Sequence, residues 1–391
     1  MAADNAFSFA IVTASPKGRM LERMLAKVLN CYKFVWLLSI LKIVSGKKRE
    51  YISFKEMSAR MIATAWYPVI YFRLNLGYAD SLADAIHDVK AECGLPDGAK
   101  YDEIVRAVMA IKNEKLAAQI EELTEYVCPR FIVPVFSDEL EEFRKTCGSN
   151  SKFDAGKNRT VKELSQKEWN RLRTPYVIGD EGITLTPEWT QFFHDFNQII
   201  AESTYFKLTQ YIQRRNPSVP AISEKLIQPT KRSSPEFDKA RDYWSLVIDK
   251  NPDVYDIYTM RHFTKDALDS LGPMSVDHFV PWKFVLHDQI WNLVPTFRSP
   301  NSSKSDNLPD FAYLDDFCSV QFLGLSTIRR TNQFSHLIEA YRDVIPDAEK
   351  FVAILENKDV FSLQLKNAII PLLLQAKNQG FSDWNNSYRE I

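Results

Sequence analysis

A mainly α protein, with a helical scaffold around a small α+β insert, is the fold class this sequence predicts. Three observations carry it. Glycine is scarce, 12 in 391 residues, and alternating Val/Ile/Thr runs are few, which argues against an all-β chain. Apolar residues recur at helical spacing over most of the length. One short alternating segment, 274–281 (MSVDHFVP), reads instead as a strand.

The elements follow in chain order. Ser15-Pro16 opens a helix over 17–30, where Met20, Leu21, Met24, Leu25 and Leu29 share one face. Residues 31–44 (CYKFVWLLSILKIV) are the most apolar stretch; with Lys33 and Lys42 inside it and a length too short to span a bilayer, it reads as a buried core helix. Ser53 stands three residues before Glu56, a capping-box pattern opening a helix over 54–66 that Pro68 limits. Residues 101–126 form a long amphipathic pattern. Acids outnumber bases over 80–145, which suits scaffold or partner contact and not a phosphate backbone. Pro129 to Pro134 breaks the pattern, and 147–159 (CGSNSKFDAGKNR) reads as a polar loop or linker. Helices are expected again over 188–213, 235–249, 335–344, 348–355 and 359–379.

Bulk composition bounds the function. With 45% hydrophobic residues the chain can bury two or three cores. The net charge of −1 means that nucleic acid would need a local basic surface. Two runs offer one: Lys157, Arg159, Lys167, Arg171 and Arg173, interleaved with Trp169, and then Arg214, Arg215, Lys231 and Arg232. They are read as nucleic-acid contacts or as solvated helix faces. The five cysteines form no CxxC pair, so a zinc knuckle is not indicated and a reducing, cytoplasmic setting is. The first residues lack an apolar signal core, and no membrane insertion is expected.

Chemistry concentrates in one segment. Asp277 and His278 are adjacent and would point to opposite faces of a strand, unless the strand ends there. Next come Trp291-Asn292-Leu293-Val294-Pro295 and the run NSSKSDNLP from Asn301 to Pro309. Phosphodiester hydrolysis needs a proton acceptor for water and positive charge at the phosphoryl oxygens. A histidine suits the first task. A carboxylate and an amide oxygen are hard ligands for Mg²⁺ or Mn²⁺, and a lysine can neutralise phosphate charge. Asp277, His278, Asn301 and Lys304 supply that set. His287, Asp288 and Asp306 read as satisfied polar or turn residues, with His287 also able to approach a phosphate.

D-H-F-V-P, then W-N-L-V-P, then N-S-S-K-S-D-N-L-P closely resembles the HNH (ββα-metal) endonucleases, especially the branch ending N-x-x-K-S-D-N-x-P. The resemblance implies a β-hairpin and a helix around one divalent metal. It implies His278 as general base, Asp277 and Asn301 as metal ligands, Asn292 as holder of the loop between the strands, and Lys304 as the motif's lysine. The first hairpin strand would be 254–260 (VYDIYTM). Many family members carry a structural zinc; Phe297 and Pro300, and Tyr258-Thr259-Met260, stand where cysteine pairs would lie, so packing must brace this domain and no zinc is expected.

The expected organisation is a helical N-terminal domain over 1–135, a middle helical region with the basic runs over 136–250, the HNH core over 251–312 and a C-terminal helical region packed on it over 313–391. The expected function is a metal-dependent DNA endonuclease that nicks one strand per encounter. The alternatives are an inactive nucleic-acid-binding or assembly protein of the same shape, and an RNA-directed nuclease. A large helical region joined to such a core also resembles the HNH component of some Zorya anti-phage systems, which implies partners within a defence system.

Overall fold

The computed structural model describes residues 12, 14–26, 28–46, 49–228, 234–329, 334–345 and 350–388. Contacts divide the chain into two compact units, one of residues 1–217 and 222–228, the other of 218–221 and 229–391. Both are dominated by helices, and the sheets are small, as the composition predicts.

The first unit runs α1 (Pro16–Leu25), α2 (Tyr32–Val44), β1 (Tyr51–Ser53), α3 (Phe54–Trp66), α4 (Ser81–Cys93), α5 (Tyr101–Met109), α6 (Glu114–Ile132), α7 (Ser137–Thr146), α8 (Asn150–Gln166), β2 (Tyr176–Ile178), β3 (Gly182–Leu185), α9 (Pro187–Asp195) and α10 (Asn197–Arg215). Helix α2 is buried on nearly every side, as its all-round apolar sequence requires. No helix among the described residues is long and apolar enough to cross a membrane. Ser53 caps α3 by accepting from the Glu56 N–H, but the box is half made. The Glu56 carboxylate is held by Arg49 at 2.5 Å and Arg60 at 2.8 Å instead of turning back to the cap. Pro68 ends the regular helix in a π-turn, Tyr67–Tyr71.

Three expectations fail in this unit. The pattern over 101–126 is two helices, because Asn113 caps a new one by accepting from the Leu116 N–H. The stretch over 147–159 is mostly helical: Gly148 takes a left-handed φ of 48° and Ser149 caps α8 by accepting from the Lys152 N–H. The Pro129 to Pro134 break separates two helices and not two units: α6 runs through Pro129 to Ile132 and gives way to a 3-10 turn over Val133–Phe136, and the chain stays in the same unit. The antiparallel sheet has the order β1-β3-β2, with Ile52 opposite Ile183 and Ile178 on the other side of it. Gly182 is required there, because a Cβ would run into the Ile52 carbonyl.

The second unit includes α11 (Pro235–Lys250), α12 (Lys265–Leu271), β4 (Met274–His278), β5 (Leu293–Phe297), α13 (Arg298–Lys304), α14 (Leu314–Ile328) and α15 (Lys358–Asn378), with shorter helices such as Ser335–Glu339 and Phe351–Glu356 besides. Strands β4 and β5 pair antiparallel, with Val276 opposite Pro295 and His278 opposite Leu293. Pro295 is tolerated because this sheet has only two strands, so each has an unpaired edge. Helices from both sides of the hairpin hold it. The Trp244 indole N–H donates to the Leu293 carbonyl at 3.1 Å, the Gln321 amide donates to the same oxygen at 2.8 Å, and Phe317 stacks on Phe279 at 4.2 Å. The C-terminal segment closes the other side, where Trp384 meets the Tyr258 ring edge-on at 5.0 Å.

Candidate functional site

Strand β4 ends at His278, and that ending brings two neighbouring side chains to one site. Asp277 and His278 both line a cavity of about 470 Å³, with Asn301 of α13 and Phe237 of α11 in its wall. Both are 4% exposed, so they form its floor. Asn301 is the fourth residue of α13, in its first turn.

The Asp277 carboxylate has two partners. The Tyr258 hydroxyl donates to it at 2.6 Å and the Lys304 ammonium lies at 2.9 Å. Burial, and then the Asp277 charge, push the Tyr258 phenol well above its ordinary pKa, so it stays a donor. Lys304 is fully buried and also donates to the His278 carbonyl at 2.7 Å. It lies behind Asp277 and outside the cavity lining, so in this geometry it neutralises the carboxylate and not a phosphate. Asn292 is also buried. Its side chain accepts from the Val280 N–H at 2.8 Å and donates to the Val280 carbonyl at 2.9 Å, tying the loop between the strands to itself.

The His278 ring has a partner at its edge and a partner on its face. Nε2 lies 2.7 Å from the Asp288 carboxylate, and Phe237 stacks on the ring at 5.6 Å and 12°. Asp288 is therefore a site residue that sequence reasoning set aside as a turn residue. No spacing signal marked it, because the loop 279–292 had to fold before its distance to His278 was fixed. Phe237 could not be found from the motif, since it lies on a helix before it. His287, the neighbour of Asp288, is turned toward Trp291, and burial lowers its pKa to about 4, so it is neutral and satisfied. Asp306 pairs with Lys283 at 2.9 Å.

The donor set suits a small hard cation. The Asn301 amide nitrogen donates to the Ser275 hydroxyl at 2.7 Å and the Val276 carbonyl at 3.3 Å, which turns its oxygen away from the strand. Asn301 and Asp277 both line the cavity. Among the described residues no group of three or more His, Cys, Asp or Glu side chains could hold a metal. Two oxygen ligands fit Mg²⁺ or Mn²⁺, which keep several waters, better than a metal that needs an all-protein cage.

The predicted first strand, 254–260, is not one. It is a turn closed by the Met260 N–H to the Asp256 carbonyl at 2.8 Å, with a lone bridge between Tyr255 and His262. Asp256 causes it: its carboxylate accepts from the Tyr258 N–H at 3.2 Å and the Thr259 hydroxyl at 2.7 Å. The hairpin is made by β4 and β5 instead. At the positions of the family's cysteine pairs, Phe297 packs on Phe263 at 4.8 Å and Tyr258 on Trp384.

The basic residues belong to the first unit, apart from Lys231 and Arg232, which lie outside the described residues. Arg173 is bound to Glu139 at 2.6 Å and to the Val135 carbonyl at 2.8 Å. Arg215 lies over the Tyr211 ring at 3.7 Å, and the half-buried Lys157 over Phe153 at 5.5 Å. Arg159, Lys167, Arg171 and Arg214 are exposed, with Arg159 paired to Glu163 at 2.8 Å and Lys167 over Trp169.

Residues 256–310 match the family model of the HNH endonucleases. The match takes in the Asp256 turn, the hairpin, the Asn292 clamp and α13. It leaves Phe237, Trp244, Phe317 and Trp384 of the HNH segment's surroundings outside. Comparison with curated proteins and with solved structures gives no match.

Proposed function

We propose that this chain is a metal-dependent endonuclease that nicks DNA. The observation that carries the reading is the convergence of Asp277, His278 and Asn301 on one cavity within the segment that matches HNH endonucleases. In this reading the Asp277 carboxylate and the Asn301 amide oxygen hold one divalent cation. When bound, Mg²⁺ or Mn²⁺ supplies positive charge at the phosphoryl and leaving oxygens. His278 takes the proton of the attacking water, and since Nε2 is turned to Asp288, the proton goes to Nδ1. Lys304 and Asn292 are positioning residues: one balances Asp277, the other fixes the loop. A single site cuts one strand per encounter.

Arg159, Lys167, Arg171 and Arg214, which are exposed, and the half-buried Lys157 are proposed to meet DNA; Arg173 and Arg215 are the least suited because the fold already uses them. The absence of disulfides at Cys31, Cys93, Cys128, Cys147 and Cys318 suits a cytoplasmic protein. A role in anti-phage defence, with protein partners, rests on the overall layout alone and is tested by plating phage on cells with the wild-type or His278→Ala chain.

The experiment is plasmid nicking with Mg²⁺, with Mn²⁺ and with EDTA, by wild type and His278→Ala. Nicking should need the cation and fall by roughly 10²–10⁴-fold in the variant, the usual effect of losing a positioned base. EDTA should leave the circular dichroism spectrum unchanged. A folded His278→Ala chain that nicks at the wild-type rate removes His278 from the chemistry. Preferential cutting of labelled RNA reassigns the substrate, and a folded wild type that cuts neither leaves a binding or assembly protein.

A further inference from the structure

We infer that Asp288 is a positioning residue that selects the ring tautomer of His278, and that Phe237, from outside the HNH segment, fixes the plane of that ring. The inference rests on the nuclease reading only for the task it gives the other ring nitrogen.

The argument is one of hydrogen-bond inventory. A neutral imidazole carries one N–H, and a carboxylate only accepts. At 2.7 Å from Asp288, Nε2 must therefore bear the hydrogen, which leaves the lone pair on Nδ1. The Asp288 side chain is only 10% exposed and that of His278 5%, so water competes weakly for this bond. Rotation of the ring about its axis would break it, and the near-parallel Phe237 ring resists such rotation from the face. Phe237 comes early in α11, where Ser234 accepts from its N–H and fixes the start of the helix. The loop that presents Asp288 is fixed in turn by Asn292 through Val280. Edge and face are thus held by two separate elements, one before the hairpin and one within it.

Asp288→Asn tests this, because an amide can donate to Nε2 and so admits the opposite tautomer with little change of shape. The full chain labelled with ¹⁵N is studied at a pH where the ring is neutral, the His278 signals being those lost in His278→Ala. Wild type should show hydrogen on Nε2. Asp288→Asn should move it toward Nδ1 and lower kcat for nicking by roughly 10²–10⁴-fold, with KM changed by less than about twofold. Asp288→Glu should keep the wild-type tautomer and recover part of kcat. Phe237→Leu should lower kcat without changing the tautomer. A wild type with hydrogen on Nδ1, or an Asp288→Asn chain that keeps both tautomer and kcat, overturns the inference. Should Asp288→Asn fail to fold, the wild-type tautomer and Asp288→Glu still decide. A wild type that cuts nothing, yet whose tautomer changes in Asp288→Asn, supports the clamp and sinks the nuclease reading.

Discussion

Lys304 has no accessible surface, and its ammonium group lies between the Asp277 carboxylate and the His278 carbonyl. A buried ion pair of this kind adds little net stability when whole, because both charges were taken from water. It is costly when half removed, since the remaining carboxylate has only the Tyr258 hydroxyl to answer it. Lys304→Met should therefore destabilise the second unit by about 3–5 kcal/mol, the range for breaking a buried pair. The double variant Lys304→Met/Asp277→Asn should regain a large part of that loss. Urea unfolding of the four chains measures it, and a Lys304→Met chain of wild-type stability would show that the pair is not formed. The motif alone marks this lysine as a phosphate partner; only its burial shows what its charge faces.

At the scale of elements, the Asp256 turn replaces an expected strand, and its chemistry is readable in pH. Burial raises the Asp256 pKa to about 6, against about 3.9 in an unfolded chain. The fold thus prefers the neutral acid. This stabilising contribution is complete below pH 4 and is lost as pH rises through 6. Asp256→Asn removes the dependence, so its stability relative to wild type should improve by up to about 2–3 kcal/mol between pH 4 and pH 8. Urea midpoints at both pH values check the sign; a gap that is flat or moves the other way refutes it. The same turn shows what the sequence could not reveal. Residues 254–260 alternate like a strand, but Asp256 binds its own downstream N–H and hydroxyl and curls the chain. The true second strand, LVPTF, is buried throughout and contains a proline, so no polar/apolar alternation marks it. The Asn292 clamp is suggested by the resemblance of the motif, and its hydrogen bonds to Val280 run within the loop that the motif spans. The contact of Asp288 with His278 depends on how a whole loop folds back.

At the scale of the molecule, the acidic helices and the first basic run share one core. The sheet of the first unit takes β1 from one end of it and β2 and β3 from the other. Tyr176 packs on Trp36 and Phe131, and its hydroxyl donates to the Cys128 carbonyl at 2.7 Å. A chain begun at Phe136 would lose Trp36, Phe131 and β1 together, so it would leave Tyr176 without its two ring partners and β3 paired to β2 alone. The second unit raises the same question around the family match. Residues 256–310 contain every proposed catalytic, metal-holding and positioning residue except Phe237, yet the groups that bury the hairpin lie outside them: Trp244 and Gln321 on the Leu293 carbonyl, Phe317 on Phe279, and Trp384 against Tyr258. A piece of 55 residues, 256 through 310, would expose those faces and fall in the size range where a core alone is marginal. We therefore propose residues 229–391 as the smallest folding unit of the site. Expressed alone, this piece should unfold in one cooperative transition and bind Mg²⁺ at the Asp277 side chain, read as a shift of the Asn301 amide signals. The 256–310 piece should show no cooperative transition with or without Mg²⁺. A cooperative transition in the shorter piece would show that the matched segment carries its own core, and that the flanking helices serve some end other than holding it.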